Sequence, residues 1–420
     1  MKTLIGPFSQ ILPLSGMGNN GALEDNQLVI IPDGGVIIEN GLIVETGDFA
    51  KLRTANPGFL IEEIAGEQVL LPGFIDCHTH ICFAGSRAKD YSMRIQGRSY
   101  LDIAKSGGGI WDSVMQTRAA DEATLSTLVQ QRAKRHLLQG VTTIEVKSGY
   151  GLSVENELKQ LRAIKNASSS DEAGADLIPT CLAAHLLPKD FDGNARAYLD
   201  HILTDLLPLI KSENLAGRVD IFIEESAFNS EDALYYLKAA KAMGFELTVH
   251  ADQFSTGGLA VAVETGALSA DHLEASTPVE IALLKTSGTV AVVLPGASLG
   301  LGMHYAPARK LLDGGACLAI ASDWNPGSAP MGNLLLQAAV MSASEKLSTA
   351  EVFAGLTFRA ARALNLNDRG TISPGLLADM QAYPCSDYRE ILYHQGQLQP
   401  VNLWKKGKSQ GYQTAIVNFK

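Results

Sequence analysis

This 420-residue chain is short of positive charge: 34 lysines and arginines face 45 aspartates and glutamates, a formal net charge of −11. Phosphate-backbone recognition needs a basic footprint, so nucleic acid is not an expected partner. An anionic substrate must instead be captured by a few local cations. Cysteine is also scarce. Cys77, Cys82, Cys181, Cys317 and Cys385 are scattered with no Cys-x-x-Cys pair, an odd count that fits reduced thiols in a cytoplasmic protein. Long apolar runs are missing too. The opening MKTLIGPFSQILPLSGMGNN is broken by Gly, Pro, Ser and Asn. No stretch reaches the ~18 apolar residues of a membrane span, so neither export nor membrane insertion is expected. Finally, no Gly-x-Gly-x-x-Gly follows a predicted strand in the right context, which weighs against an open dinucleotide-binding sheet.

What the chain does have is apolar content: 46% hydrophobic residues and a mean hydropathy of +0.07, as in a well-buried globular protein. Its length suits a barrel of ~250 residues or more with something smaller attached. Eight apolar segments read as strands: Leu71–His78, Val141–Lys147, Leu177–His185, Val219–Glu225, Phe245–His250, Ala267–His272, Thr289–Leu294 and Cys317–Asp323. Helical patterns intervene, for example Thr124–Gln139 and Val154–Asn166. Eight strands with crossover helices predict an α/β fold, a TIM-like (β/α)8 barrel. The ends differ in texture: Leu28–Ile31, Gly35–Glu39 and Leu42–Glu45, then Val401–Trp404 and Thr414–Asn418, read as short strands between Gly and Asp turns. They predict a small composite β-sandwich domain from residues 1–68 plus 369–420, with the barrel over 69–368.

Five of the nine histidines fall at or just past the C-terminal ends of the predicted strands, where barrel active sites are built. His78 and His80 end strand one, and residues i and i+2 of a strand share a face, so both imidazoles aim at one point. His185 ends strand three, His250 strand five, His272 strand six and Asp323 strand eight. Neutral imidazoles with one carboxylate suit Zn²⁺ or an iron ion, with a position left for water. A solitary strand-end histidine is more often structural, and a Ser-Asp pair such as Ser322-Asp323 more often a turn or helix cap. It is the joint placement that points to a catalytic metal. His136, His201, His304 and His394 fall in helices or loops and are expected to be structural and unpartnered.

His-x-His on strand one, His on strands five and six and Asp on strand eight resemble the amidohydrolase superfamily of mononuclear type. Leu71-Pro72-Gly73-Phe74-Ile75-Asp76-Cys77-His78-Thr79-His80 is similar to that superfamily's entry motif, and Gly370-Thr371-Ile372-Ser373-Pro374-Gly375 to its return strand. Narrower motifs resemble the imidazolonepropionase family over nearly the whole chain: Phe83-Ala84-Gly85-Ser86-Arg87, Gly107-Gly108-Gly109-Ile110, Lys147-Ser148-Gly149-Tyr150-Gly151-Leu152, Ala183-Ala184-His185 and Ser322-Asp323-Trp324-Asn325-Pro326-Gly327-Ser328. The resemblance implies hydrolysis of the ring amide of 4-imidazolone-5-propanoate to N-formimidoyl-L-glutamate in histidine degradation. It also implies one metal ion, Zn²⁺ or Fe³⁺, on His78, His80, His250 and Asp323. Strand four ends Ile223-Glu224-Glu225-Ser226, without the lysine that bridges binuclear sites, and Lys147 ends strand two, where a salt-bridge role is expected.

Within that frame His272 is expected to act either as general base or as oxyanion stabiliser, and Asp323 to move the water proton to the leaving nitrogen. Arg87 is expected to hold the propanoate with a bidentate fork. Tyr100, Tyr150 and His185 would bind the ring, with Asn325, Gly327 and Ser328 as a polar loop beside the metal. The glycines at 107–109 either let a ligand approach the backbone or turn the chain into a helix. Deaminases of the superfamily commonly carry His-x-x-Glu on strand five. This chain has His250-Ala251-Asp252-Gln253, and an amide cannot shuttle a proton. Gln253 is therefore an expected ring-binding and catalytic residue, with Asp252 as its competitor. The alternatives are a mononuclear deaminase acting on a nucleobase-like ring and, in another class, a barrel scaffold without catalysis. A homodimer is expected from apolar helices around the barrel.

Overall fold

The computed structural model describes residues 2–98, 102, 106–169 and 174–411. Five strands come first: β1 Lys2–Ile11, β2 Ile31–Glu39, β3 Leu42–Asp48, β4 Leu60–Glu63 and β5 Val69–Pro72. Eight then alternate with helices: β6 Phe74–Asp76, β7 Val141–Lys147, β8 Asp176–Ala184, β9 Arg218–Ile221, β10 Glu246–Ala251, β11 Ser269–His272, β12 Val290–Val293 and β13 Leu318–Ile320. Three more close the description: β14 Met380–Tyr383, β15 Asn402–Lys405 and β16 Lys408–Ser409.

Strands β6 to β13 follow one another in spatial order, every neighbouring pair parallel. All eight predicted barrel strands are present. Helices cover their outer side, so strands such as β7, β9, β11 and β12 are buried along their whole length. The helices start where side chains can cap them: Asp121 accepts from Thr124 N ahead of Glu122–Leu137, and Ser153 from Asn156 N ahead of Val154–Ser168. The seam between β6 and β13 is joined just beyond the strand ends, where His80 N donates to the Trp324 carbonyl at 3.0 Å and Asp323 N to the His78 carbonyl at 3.1 Å. The backbone that closes the barrel thus carries three of the residues read as metal ligands.

The apolar run Leu71–His78, expected as one strand, serves two sheets. Val69–Pro72 pairs with β1 and β14 in the terminal sheet, and Phe74–Asp76 opens the barrel. The chain crosses between them at Gly73, where a Cβ would lie 2.4 Å from the Thr142 side chain. Only glycine fits so close an approach.

The terminal sheet runs β16-β15-β14-β5-β1-β2-β3, with β4 also on β1. Both chain ends build it, as expected, and it wraps a filling that includes Ile5, Phe8, Ile11, Val36, Leu70, Met380 and Trp404. Its central strand, β1, went unrecognised because Gly6-Pro7 interrupts the pattern. A register shift between Ile5 and Phe8 accommodates that pair and leaves Pro7 exposed. Leu28–Ile31 is not a strand; only Ile31 is paired, and Val29 and Ile30 face solvent. The expected strand Thr414–Asn418 lies outside the described residues. Barrel and sheet meet at a charged junction where Asp176, at the start of β8, receives Arg369 (2.6 Å), Lys405 (2.9 Å) and Lys406 (3.0 Å).

Candidate active site

At the C-terminal ends of the barrel strands a cavity of about 570 Å³ opens, with His80, His185, His250, His272 and Asp323 in its wall. His78 lies directly beneath, fully buried. The ligating atoms of His78, His80 and His250 fall within 4.8 Å of one another. His80 Nε2 is 3.2 Å from His78 Nε2 and 3.3 Å from His250 Nε2, while Asp323 Oδ1 is 3.4 Å from His80 Nε2 and 3.6 Å from His78 Nε2. Donors about 2.1 Å from a four-coordinate ion stand roughly 3.4 Å apart. The four residues fit one metal ion.

Burial holds His78 and His80 well below the ordinary histidine range and His250 at about 3. The rings are therefore neutral, the form that ligates a metal. A second layer of carboxylates sets their orientation. His78 Nδ1 meets Asp271 Oδ2 at 2.6 Å, and His250 Nδ1 lies 2.8 Å from Asp220 Oδ2. Both carboxylates approach Lys147 Nζ, Asp220 at 2.8 Å and Asp271 at 3.7 Å, and Glu145 joins it at 2.8 Å. Burial alone would lower the basicity of this fully enclosed lysine, but Asp220, Glu145 and Asp271 outweigh it and keep it charged. The salt-bridge reading of Lys147 stands, with three partners.

His272 contrasts with the cluster. Burial opposes its charge, yet Glu274, with Asp323 and Asp271, more than offsets this and raises its affinity for a proton. His272 and Leu273 have φ of 91° and 73°, and Asp323 one of 50°. Left-handed non-glycine residues cost of order 1–3 kcal/mol each and gather at functional sites.

The other expected residues line the same cavity. Arg87, Tyr150, Gln253, Asn325, Gly327 and Ser328 all contribute to its wall; Tyr100 lies outside the described residues. Arg87 Nε is anchored by buried Asp90 at 2.8 Å. A Cβ on Gly327 would sit 2.5 Å from Arg87 Nη1, so the glycine makes room for the guanidinium. Asn325 uses its amide within the loop: Oδ1 accepts from Gly327 N (2.7 Å) and Ser328 N (2.8 Å), and Nδ2 donates to the Asp323 carbonyl (2.7 Å). His185 Nδ1 faces the Gly149 carbonyl at 2.9 Å, and burial keeps the ring neutral, so it carries the Nδ1 proton. Burial also holds Tyr150 protonated. Asp252 turns away, accepting from Leu259 N and Ser276 Oγ, while Gln253 reaches the cavity.

Some expectations need correction. His136 is not unpartnered: its Nε2 lies 3.0 Å from Asp76 Oδ2, and Asp76 Oδ1 accepts from Ser322 N at 2.9 Å, a buried tie across the barrel seam. His201 pairs with Asp205 at 2.6 Å and His394 approaches Glu390 at 3.8 Å. The Gly107–Gly109 run is a turn into the helix Ile110–Ala119, with φ of 85° and 83° at its first and last glycines. Missed altogether were Arg94 and Arg98 in the cavity wall. Arg94 is seven residues, two helical turns, beyond Arg87, a spacing that places both on one face; it donates to the Gly300 carbonyl at 3.0 Å and the Gly327 carbonyl at 3.3 Å.

A parallel barrel with a mononuclear-type cluster at its active end defines a metal-dependent hydrolase architecture. The amidohydrolase family model matches residues 69–409, and the chain belongs to that family. Among curated relatives, imidazolonepropionase from Solibacter usitatus is 39% identical over 380 residues, 90% of each chain. The enzyme of that name from Myxococcus xanthus is 38% identical over 400 residues, 94% of each. Within the family, the chain's place is with the imidazolonepropionases. Solved structures share the fold: an adenosine deaminase from Xanthomonas campestris with bound zinc (TM-score 0.69, 18% identity, 97% of this chain and 92% of that one) and a triazine hydrolase variant (0.68, 15%, 97% and 94%).

Proposed function

We propose that the chain hydrolyses the ring amide of 4-imidazolone-5-propanoate to N-formimidoyl-L-glutamate, a step of histidine degradation to glutamate. The observation that carries this reading is a neutral histidine cluster and Asp323 in the wall of a cavity that Arg87 also lines. Arg87, fixed by Asp90, takes the propanoate carboxylate, the local cation that a chain of net charge −11 needs. His185 and Tyr150 bind the flat ring, His185 through its unprotonated nitrogen and Tyr150 through its hydroxyl. Gln253 offers the ring an amide that donates and accepts, a pairing suited to an imidazolone and unsuited to the proton shuttle of a deaminase.

One metal ion, zinc or iron, would be held by His78, His80, His250 and Asp323, and when bound it supplies a Lewis acid and a water acidic enough to ionise near neutral pH. Asp323 takes a proton of the attacking water and passes it to the ring nitrogen as the C–N bond breaks. His272 faces the carbonyl, as a second proton acceptor or as a donor to the developing oxyanion. Ser328 Oγ, 3.3 Å from Asp323 Oδ2, steadies that carboxylate.

The decisive assay follows ultraviolet loss of the imidazolone beside cytosine, guanine and hydantoin. Turnover confined to the imidazolone supports the reading; turnover of a nucleobase alone overturns it. Metal analysis should find about one ion per chain, whereas a purified protein without metal would favour the scaffold alternative. Two further expectations belong to this reading. Five free, buried cysteines suit a reducing cytoplasm. A homodimer would cover apolar positions such as Val279, 73% exposed, on the helix Pro278–Leu284, and sedimentation tests it. No helix among the described residues is long and apolar enough to cross a membrane.

A further inference from the structure

Two residues beyond His272 stands an acid that none of these roles uses. The Glu274 side chain is only 4% exposed, a burial that carboxylates tolerate only with partners. Oε1 accepts from Ser298 Oγ at 2.9 Å, and Ser298 is itself buried on the helix Pro295–Leu301 that follows β12. Oε2 lies 3.4 Å from His272 Nδ1. Both atoms of that second contact are sealed from solvent and have no other hydrogen-bond partner among the described residues. In an extended strand, residues 272 and 274 would stand roughly 7 Å apart along the chain. The two left-handed residues, His272 and Leu273, fold the backbone and bring the side chains together. Leu273 N and Ala275 N fasten that fold to the Ala251 and Asp252 carbonyls, at 3.0 and 2.8 Å.

We propose that Glu274 is a positioning residue for His272: it receives the Nδ1 proton, with Ser298 bracing it from behind, so that the bare Nε2 faces the cavity and His272 serves as a proton acceptor. The inference rests on the hydrolytic reading and deepens it. A carboxylate behind an imidazole fixes ring orientation and tautomer and balances the imidazolium once it forms. Hydrolysis of the ring amide releases both protons of the water. One goes to the leaving nitrogen as the C–N bond breaks. The other is lost as the new carboxylic acid ionises, and His272 Nε2 is its acceptor. The two acceptors of the site then have distinct duties: Asp323 returns its proton to the product, and His272 carries the second away.

The test is a double-mutant cycle on the metal-loaded enzyme, with kcat, KM and bound metal measured for wild type, E274A, H272A and the double variant. We expect E274A to lower kcat about 10- to 100-fold with KM within about twofold and metal content unchanged. In the H272A background the same substitution should change residual turnover by less than about twofold, because residues that act as a unit are not additive. E274Q, which keeps the volume, guards against loss of folding and should also lower kcat. S298A should lower it less than E274A. Wild-type kcat in both Glu274 variants overturns the proposal, and so does an equal loss from E274A with and without His272. Near-normal turnover in H272A alone sinks the hydrolytic role of His272 itself, a different failure.

Discussion

The chain buries charge in two places, and the two differ in what the charges are for. Beneath the cavity Lys147 gathers Glu145, Asp220 and Asp271, every side chain at most 1% exposed. Two of those carboxylates have their remaining business with His78 and His250. At the junction of barrel and terminal sheet, Asp176 gathers Arg369, Lys405 and Lys406, with its own side chain 25% exposed. The first cluster has three acids on one base, sealed from solvent; the second gathers three bases on Asp176 at the edge of solvent, two of them shared with Asp368 and Asp379. Ion pairs out of water carry a desolvation penalty of several kcal/mol per ion that their attraction barely offsets, so a cluster as enclosed as the first is poorly explained by stability. Its geometry explains it: the lysine holds two carboxylates in the positions that aim two imidazoles. The junction cluster has no such client and serves to join two pieces of the fold.

That contrast can be broken at either end. The largest effect should come from the carboxylate that shares the metal site with the two imidazoles the first cluster aims. Asp323→Ala is expected to cut turnover by about 10³-fold or more with the melting transition little changed, and near-normal turnover would remove Asp323 from the chemistry. Lys147→Met comes next. It leaves three acids enclosed without a base, for an expected loss of about 3–5 kcal/mol, the scale for breaking a buried pair. Denaturation of the variant would read this directly, and metal analysis should show reduced occupancy. Asp271→Asn is milder: it keeps the shape but weakens the hold on His78 Nδ1. Metal affinity should fall about 10- to 100-fold, measured by chelator competition, with little change in stability. If Asp271→Asn destabilises the chain as much as Lys147→Met does, the cluster is structural and the distinction drawn above fails.

The sequence disclosed the servants' client and hid the servants. His78 and His80 announce themselves through period-two spacing, and His250, His272 and Asp323 through their places at strand ends, because a strand end in a parallel barrel has one direction to face. Asp220 and Asp271 sit inside strands, where a carboxylate's partner comes from a neighbouring strand tens of residues away. Asp76 and His136, 60 positions apart, were hidden in the same way. The barrel itself was legible because its helices and strands repeat. The sheet crossing at Gly73 was not, because a run buried by two sheets in succession looks like one long strand. β1 was lost to Gly6-Pro7, a pair that elsewhere would end a strand. Arg94 could have been found from its two-turn spacing to Arg87, since a helix that supplies one cavity residue offers the next on the same stripe.

The smallest effect belongs to the junction, and its pH dependence separates it from the first cluster. Burial alone would raise the Asp176 carboxyl, but Lys405, Arg369 and Lys406 hold it well below the usual carboxylate range. A group whose folded-state pKa lies below its unfolded value, here about 3.9, binds fewer protons when folded. Its stabilisation is therefore complete above that value and is lost as pH falls through the folded one. Asp176→Asn should cost about 1–2 kcal/mol at neutral pH, with turnover, KM and metal content unchanged. The gap between wild type and variant should stay level from pH 7 to about 5, then narrow as the unfolded wild-type chain takes up a proton that the folded carboxylate still excludes. Denaturation midpoints of the two proteins across that range supply the measurement. A gap that held constant to pH 3 would mean that the three bases do not depend on the Asp176 charge, and the junction would have to be explained by packing instead.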